Sequence, residues 1–426
     1  MERGKRPPSC EADRFRAATV SRNPAAGAVA GGLLVCYPRR RMILSFRMRI
    51  NLQAAWGAAV MLLCALAFSN CGVNAFAQDK NPARQPSSSM LGQELPGIAA
   101  KYKIPGLAVA SIEHGQISDI EVFGVRDTGS SSPVDQNTVF QAGGLGEPVY
   151  AYSILRLAAD GRFNPGAPLP TYLALPYVRN LDFTATSAST ESLYDSRFNQ
   201  ITALRIMNHT SGMPDWSRNR HLHLQTDPGR AWSYSNEGYL YLQQVVEHVT
   251  NEPANDFVSR SAFVPAQMGH SSFLWRDSYN QTQATGYDRA GNPVADRHYL
   301  RPAAATTLYT TIQDYAQFLK LLLATAPAQR AHESAVSLML NSTTPAEDSF
   351  SWGLGCGLEK SSDDVFFFNR GMNPGFQSFF LASRKTGKGL VILTNSENGL
   401  DAVPEIVAAA LGGNHPIFKS AFLRAH

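Results

Sequence analysis

The chain has 426 residues and a formal net charge of +4, but the positive charge lies in its first part. Residues 1–77 carry eleven Lys/Arg and three Asp/Glu, so the other 349 residues have a net charge of +4 − 8 = −4, which removes the support for nucleic-acid binding. Residues 78–426 retain only Cys356, so they can form no internal disulfide and depend on a large apolar core.

Residues 48–77 have the pattern of a secretory signal peptide. They begin with a short basic segment, continue with an apolar, uncharged run at 54–68, and end in Ala-Phe-Ala, which suits cleavage before Gln78. The apolar run has about 15 residues, whereas a membrane-spanning helix needs roughly 20. We therefore expect a periplasmic or secreted protein that has no stable membrane span after signal cleavage.

Residues 1–47 lie upstream of that signal and show no periodic apolar face. Either the start codon is assigned too early, with Met42 or Met48 as the true start, or the leader is unusually long. The alternatives to a cleaved signal peptide are an uncleaved membrane anchor and a lipoprotein site at Cys71.

The next segments alternate between helical and strand patterns. After a flexible lead-in at 78–87, apolar residues at helical spacing predict a helix over 88–102. Segments 106–113 and 117–125 are strand-like and close enough to form a hairpin. Later segments are predicted as helices at 237–250, 254–262, 312–324 and 402–411 and as strands at 351–358, 365–369, 376–382 and 389–395, followed by a C-terminal tail at 413–426.

Strands near both ends with helices between them predict an α/β (α+β) fold. One antiparallel sheet would be built from strands near both termini and flanked by helices. A mostly helical region would be inserted at about 163–305, within one domain that covers 88–412.

The segment Phe140-Gln-Ala-Gly-Gly-Leu-Gly-Glu147 leads into a helical pattern in which Pro148 suits the first turn. It resembles the nucleophile segment of the serine hydrolases related to class C β-lactamases and penicillin-binding proteins, which is Phe-x-x-Gly/Ala-Ser-x-x-Lys. The serine position is Gly144 here, and the lysine position is Glu147. Glycine has no side chain to attack a carbonyl group, and glutamate reverses the charge of the base.

Other elements of the same family follow in the same order. Ile201-Thr-Ala-Leu-Arg-Ile-Met-Asn-His-Thr-Ser-Gly-Met-Pro214 resembles its His-Thr-Ser-Gly element, and Trp232-Ser-Tyr-Ser-Asn-Glu-Gly-Tyr239 resembles its Tyr-Ser-Asn element. Asn369-Arg-Gly-Met-Asn-Pro-Gly-Phe376 resembles the third motif, which usually begins with His or Lys. Thr394-Asn-Ser-Glu-Asn-Gly399 resembles an element near the family's C-terminus. The resemblance implies a β-lactamase/transpeptidase-like fold.

The resemblance also implies roles for single residues. In active members the serine attacks an amide or ester carbonyl, the lysine helps to take its proton, and backbone N–H groups bind the oxyanion. Tyr234 would be the proton-relay tyrosine, and Asn236 the hydrogen-bonding asparagine. The candidate ligand-binding residues are Gly144, Asn369, Arg370, Gly371 and Met372, of which the amides of Gly144 and Met372 could form an oxyanion-like pocket.

Two further interpretations concern charged residues. Glu147 could act as a general base for water beside Tyr234, or it could form an ion pair with Arg370, because the two substitutions change charge in a compensating sense. Lys385-Thr-Gly387 resembles a β-lactamase third motif, but it lies between two strand-like runs and is predicted to be a hairpin turn.

The sequence therefore favours a secreted member of this family that has lost its nucleophile and base. Such a pseudoenzyme would bind a peptide-, glycan- or ester-like small molecule, or a cell-wall-like peptide. The alternatives are an active hydrolase with a rearranged mechanism that uses Glu147 and Tyr234, and a partner-binding protein whose cleft has no role. No Cys/His cluster has metal-ligand spacing, so we expect neither a metal nor another cofactor.

Overall fold

The computed structural model describes residues 89–424 apart from 175, 186–190, 194, 217–221, 327 and 362–363. The predictions for the leader, the signal peptide and the lead-in therefore lie outside the described residues. Within the described part of the chain, no helix is long and apolar enough to cross a membrane.

The element order predicted for the N-terminal end of the domain, a helix and a two-stranded hairpin, is confirmed, whereas the C-terminal end has elements that the sequence pattern does not predict. The helices are α1 (Met90–Tyr102), α2 (Gly146–Ala159), α3 (Ala203–Met207), α4 (Asn236–Thr250), α5 (Ala254–Val258), α6 (Ile312–Leu323), α7 (Arg330–Asn341), α8 (Gly399–Ala410) and α9 (Ala421–Arg424). The strands are β1 (Gly106–Glu113), β2 (Gln116–Asp127), β3 (Ser132–Pro133), β4 (Phe140–Gln141), β5 (Tyr177–Arg179), β6 (Glu191–Leu193), β7 (Tyr309–Thr310), β8 (Thr344–Glu347), β9 (Phe350–Trp352), β10 (Gly357–Ser361), β11 (Asp364–Asn373), β12 (Phe376–Ser383) and β13 (Lys388–Thr394).

Nine strands form one antiparallel sheet in the order β3-β2-β1-β13-β12-β11-β10-β9-β8. Strand β1 pairs with its hairpin partner β2 on one side and with β13 on the other, so Leu107 lies between Phe123 and Thr394. This arrangement confirms the prediction of an antiparallel sheet built from strands near both termini and flanked by helices.

Side chains alternate between the two faces of the sheet, and each face is covered by helices. On one face, Leu107 and Val109 of β1 belong to a core that includes the apolar residues of α1 and α8. On the other face, Ala108 and Ala110 belong to a larger core with α2, α6 and α7. The middle region at 163–305 contains α3 to α5, the two-stranded pair of β5 and β6, and long connecting loops.

The structure differs from the sequence predictions at one strand of this sheet and at one helix. The single strand predicted at 351–358 is wrong: β9 and β10 are separate strands, because the N–H of Gly353 bonds to the carbonyl of Cys356 at 2.8 Å and Gly355 has a φ of +94°. Helix α7 was not predicted, although it buries Val336 and Met339 at helical spacing. The turn predicted at Lys385-Thr-Gly387 is confirmed, and it joins β12 to β13.

Candidate functional site

The position that corresponds to the family's serine is closed on two sides. Gly144 lies in a single turn of 3-10 helix, Gly143–Leu145, that leads into α2, and it is fully buried. A β carbon on Gly144 would lie 2.6 Å from the carbonyl oxygen of Arg370 and 3.1 Å from the phenol oxygen of Tyr234. The first distance is far below a van der Waals contact with a backbone atom that cannot rotate away. Any side chain at this position therefore requires a movement of the backbone.

The same close approach continues along strand β11. Gly143 has a φ of +51°, and a β carbon there would lie 2.8 Å from the amide nitrogen of Met372. A β carbon on Gly371 would lie 1.8 Å from the carbonyl oxygen of Ala142. Glycine is needed at both positions because only a residue without a side chain lets the two backbones come this close. The strand and the turn are thus packed directly against each other.

Glu147, at the position of the family's lysine, is buried beneath this contact. Its exposed fraction is 0%, and its Oε2 lies 3.5 Å from Nδ2 of Asn369 and 3.6 Å from Nε2 of His209. Burial raises the pKa of Glu147 above its usual value of 4.5, and the neighbours His209, Tyr234 and Asn369 only partly offset this effect. At the position of the family's lysine, the site thus holds a buried carboxyl group whose pKa is raised.

This burial predicts a pH-dependent stability effect. A carboxyl group whose pKa is raised on folding stabilises the fold fully below its unfolded pKa, near 4.5, and that stability is lost as pH rises through the folded pKa. We expect Glu147→Gln, which stays neutral, to become more stable than the wild type as pH rises from 4.5 to 8. The gain is about 1.4 kcal/mol for each unit of upward shift.

Urea unfolding of both proteins at several pH values measures this difference. Glu94→Gln serves as the control, because Glu94 lies on the exposed face of α1. A difference between Glu147→Gln and wild type that is constant from pH 4.5 to 8 would contradict the prediction.

His209, which was not among the candidate site residues predicted from the sequence, lies in the site. Its Nδ1 accepts a hydrogen bond from the N–H of Ser235 at 3.2 Å. Since Nδ1 is the acceptor, the neutral imidazole carries its proton on Nε2, the atom that faces Glu147. The ring packs on Tyr234 and Trp352, with centroid distances of 4.4 and 4.9 Å. The signal for this residue was its place in the His-Thr-Ser-Gly element.

The second motif lies at the start of α4. Ser235 is the N-cap residue, whose hydroxyl accepts a hydrogen bond from the N–H of Gly238 at 3.0 Å. Asn236 donates its amide to the carboxylate of Asp215, a partner that the sequence did not indicate. Burial raises the pKa of Tyr234 well above its usual 10.0, and the charge of Glu147 adds to the effect, so the phenol is protonated at neutral pH. Tyr234 is therefore a hydrogen-bond donor beside Gly144.

The third motif divides its side chains between the two faces of β11. Asn369 points to the helix α2 side, where its Nδ2 donates to the carbonyl oxygen of Gly144 at 3.3 Å. Arg370 points to the opposite face, where its guanidinium lies 4.4 Å from the ring centroid of Phe422 and contacts the sulfur of Met372. Glu147 contacts Asn369 rather than forming the close pair with Arg370 that the sequence suggested as a hypothesis. Its charge still acts on Arg370 by raising the pKa of that residue, although burial lowers the pKa overall.

Within the described ranges, no group of three or more His, Cys, Asp or Glu side chains could hold a metal ion. Cys356 is buried, and burial raises the pKa of its thiol well above the usual 9.0, which disfavours the reactive thiolate. The polar groups gathered at the site are therefore Glu147, His209, Tyr234 and Asn369, together with Arg370 on the other face of the strand. This set can donate and accept hydrogen bonds, but it contains no side chain at the nucleophile position.

Known proteins share this architecture. A family model described as Beta-lactamase matches residues 91–413. Protein flp of Staphylococcus aureus (strain MRSA252) is 22% identical over 348 residues, which cover 77% of this chain and 65% of that protein. Penicillin-binding protein 4* of Bacillus subtilis (strain 168) is 24% identical over 224 residues, which cover 47% of this chain and 42% of that protein. The chain thus spans less than two thirds of the length of these curated relatives.

Solved structures agree with the family match at the level of the fold. D-alanine carboxypeptidase AmpC from Burkholderia cenocepacia has a TM-score of 0.63 and 17% identity, covering 76% of this chain and 97% of its own. An octameric penicillin-binding protein homologue from Pyrococcus abyssi has a TM-score of 0.63 and 18% identity, covering 77% of this chain and 79% of its own. Because the family model covers most of the chain, including the whole sheet and the site around Gly144, the chain belongs to the beta-lactamase family.

Proposed function

We propose that this protein is a non-acylating member of the beta-lactamase family that binds a peptide-like ligand reversibly in the cleft beside Gly144. The observation that carries the proposal is the closed position of Gly144. Acyl transfer needs a nucleophile, and a β carbon at 144 would lie 2.6 Å from the carbonyl oxygen of Arg370. A serine at this position would therefore require a movement of the backbone in addition to supplying the missing hydroxyl.

The groups that remain favour recognition of a carbonyl or carboxylate group. Tyr234 is a protonated phenol, and Arg370 supplies a positive charge near the same strand. The amides of Gly144 and Met372 are candidate donors that do not depend on side chains. The names of the relatives mention penicillin binding and D-alanine carboxypeptidase activity, so benzylpenicillin and N-acetyl-D-alanyl-D-alanine are suitable probes.

Intact mass spectrometry and calorimetric titration test the proposal together. We expect reversible binding of a probe with no increase in protein mass, since no acyl-enzyme forms. Tyr234→Phe should weaken binding about three- to tenfold, because one hydrogen bond contributes roughly 0.5–1.5 kcal/mol. Tyr279→Phe is the matched control: its hydroxyl bonds to the carbonyl of His270 in a separate cluster.

A second candidate function is hydrolysis by a rearranged mechanism. The observation in its favour is that Oε2 of Glu147 lies 3.6 Å from Nε2 of His209, and that Tyr234 is near enough to lower the pKa of Glu147, so the three groups can act as an acid–base array. Steady turnover of either probe, lost in Glu147→Gln and kept in Glu94→Gln, would establish this alternative. A stable mass adduct on the wild-type protein would overturn both candidate functions, and the modified peptide would identify the nucleophile.

A further inference from the structure

The end of the chain returns to the second and third motifs after the last long helix, where Phe422 contacts Tyr234 and Arg370. Helix α8 ends at Ala410, and Gly412 and Gly413 then adopt φ values of +66° and +84°, which turn the backbone away from the helix axis. A short 3-10 turn, Pro416–Lys419, and helix α9 follow. We call residues 414–424 the terminal segment. The sequence showed this part only as a tail.

Two carboxylates hold the terminal segment on the sheet. Glu359 of β10 is fully buried; it bonds to Nδ1 of His415 at 2.7 Å and accepts the N–H of Ile417 at 3.0 Å. Glu347 of β8 accepts the N–H groups of Ala421 and Phe422, both at 2.9 Å. The bonds to Ala421 and Phe422 lie nearer the surface than those to Glu359. The first half of the segment is therefore anchored by a buried carboxylate, and the backbone of the second half by a more exposed one, although the side chains of Phe422 and Leu423 are buried.

Phe422 occupies a pocket whose walls include two motif residues. Its ring lies 4.4 Å from the guanidinium of Arg370 and 5.3 Å, between centroids, from the ring of Tyr234. The exposed fraction of Phe422 is only 5%, whereas Arg370 and Tyr234 remain partly exposed. The other ring contacts of Phe422 are with Trp232, Phe350, Trp352 and Phe368. These residues form an aromatic pocket with a cation on one wall, which is a favourable site for a ring.

We propose that this pocket is an aromatic-binding subsite of the cleft and that Phe422 fills it as a built-in lid. A ligand whose aromatic group takes the place of Phe422 would gain the contact with Arg370 and Tyr234 while its polar part lies along β11. Helix α9 would have to leave its bonds to Glu347, while the half of the segment anchored at Glu359 stays in place. This inference rests on the proposed function, because it names the ligand class and the access control of the same cleft.

A closed lid lowers the apparent affinity by the fraction of molecules in which it is open. Removing the ring of Phe422 should therefore tighten the binding of an aromatic ligand and leave the binding of a non-aromatic analogue unchanged. Benzylpenicillin carries a phenyl group, and 6-aminopenicillanic acid is the same core without it. We expect Phe422→Ala to bind benzylpenicillin about tenfold more tightly than the wild type, with no gain for 6-aminopenicillanic acid.

The matched control is Phe418→Ala. Phe418 lies in the same terminal segment and is partly buried, but its ring packs on Phe379 and His415. Glu347→Gln is a second test variant that keeps the ring and weakens only the hold on α9. Glu347→Gln should also bind benzylpenicillin more tightly than the wild type, by a smaller factor than Phe422→Ala.

Hydrogen exchange of the wild-type protein gives a direct readout of the lid. Benzylpenicillin should accelerate exchange of the amides of Ala421 and Phe422, and 6-aminopenicillanic acid should not. Two results would contradict the lid without contradicting the proposed function. One is tight binding of benzylpenicillin with unchanged exchange in α9, and the other is an equal gain in affinity for both probes in Phe422→Ala. No binding of either probe to wild type, Phe422→Ala or Glu347→Gln would overturn the proposed function and the lid together.

Discussion

A serine placed at position 144 is expected to destabilise the protein and to form no acyl adduct with a penicillin. Its β carbon would lie 2.6 Å from the carbonyl oxygen of Arg370, so β11 or the turn that precedes α2 must move. Overpacking of this kind costs about 1–3 kcal/mol, and sometimes more when the obstacle is backbone. The hydroxyl would also lack the lysine that takes its proton in the family's motif, because Glu147 occupies that position.

Urea unfolding measures the stability loss, and intact mass spectrometry after exposure to benzylpenicillin measures the adduct. Gly97→Ser is the matched control: a β carbon on Gly97 of α1 meets no atom within 4 Å, and serine is a better helix former than glycine. The double variant Gly144→Ser/Glu147→Lys should also remain unmodified. An adduct on the serine introduced in the double variant, with unfolding like the wild type, would show that the cleft has lost only its nucleophile and base.

The sequence predicts the fold well because the sheet is encoded by local patterns. Strand β1 and the hairpin partner β2 have alternating or continuous apolar residues and a turn at His114-Gly115, where both residues have a positive φ. The family motifs then indicate that the start of α2, the start of α4 and strand β11 meet at one site. Such patterns do not depend on exact interatomic distances. They therefore still predict the fold although Gly144 and Glu147 replace the serine and lysine of the family's motif.

The closure of the site could not be predicted in the same way. Gly144 was identified from the motif, but the motif does not state how closely β11 approaches it. The contact of Glu147 with His209 depends on the rotamers of two buried side chains from distant segments. Phe422 had no signal at all, because residues 413–426 match none of the family motifs quoted above and the position of residues 415–422 depends on the carboxylates of Glu347 and Glu359.

The largest loss of stability is expected from Arg179→Met. Arg179 of β5 forms a buried ion pair with Glu237, and the exposed fractions of the two side chains are 4% and 0%. Removing one partner of a buried ion pair costs about 3–5 kcal/mol, because the remaining buried charge loses the opposite charge that stabilises it. The N–H of Glu237 also bonds to the carbonyl of Asp215 at 3.0 Å, next to Asn236. The same variant should therefore loosen the start of α4, which carries the second motif.

Chemical unfolding at neutral pH measures this loss of stability, and a double variant tests whether the ion pair is its cause. Arg179→Met/Glu237→Leu removes both charges, so it should recover much of the stability that Arg179→Met loses. Lys101→Met is the control, since Lys101 pairs with Glu405 at the surface and exposed pairs contribute little. If Arg179→Met unfolds like Lys101→Met, the pair does not hold β5 against α4. If the double variant is as unstable as Arg179→Met, the loss comes from packing of the arginine side chain and not from the loss of the ion pair.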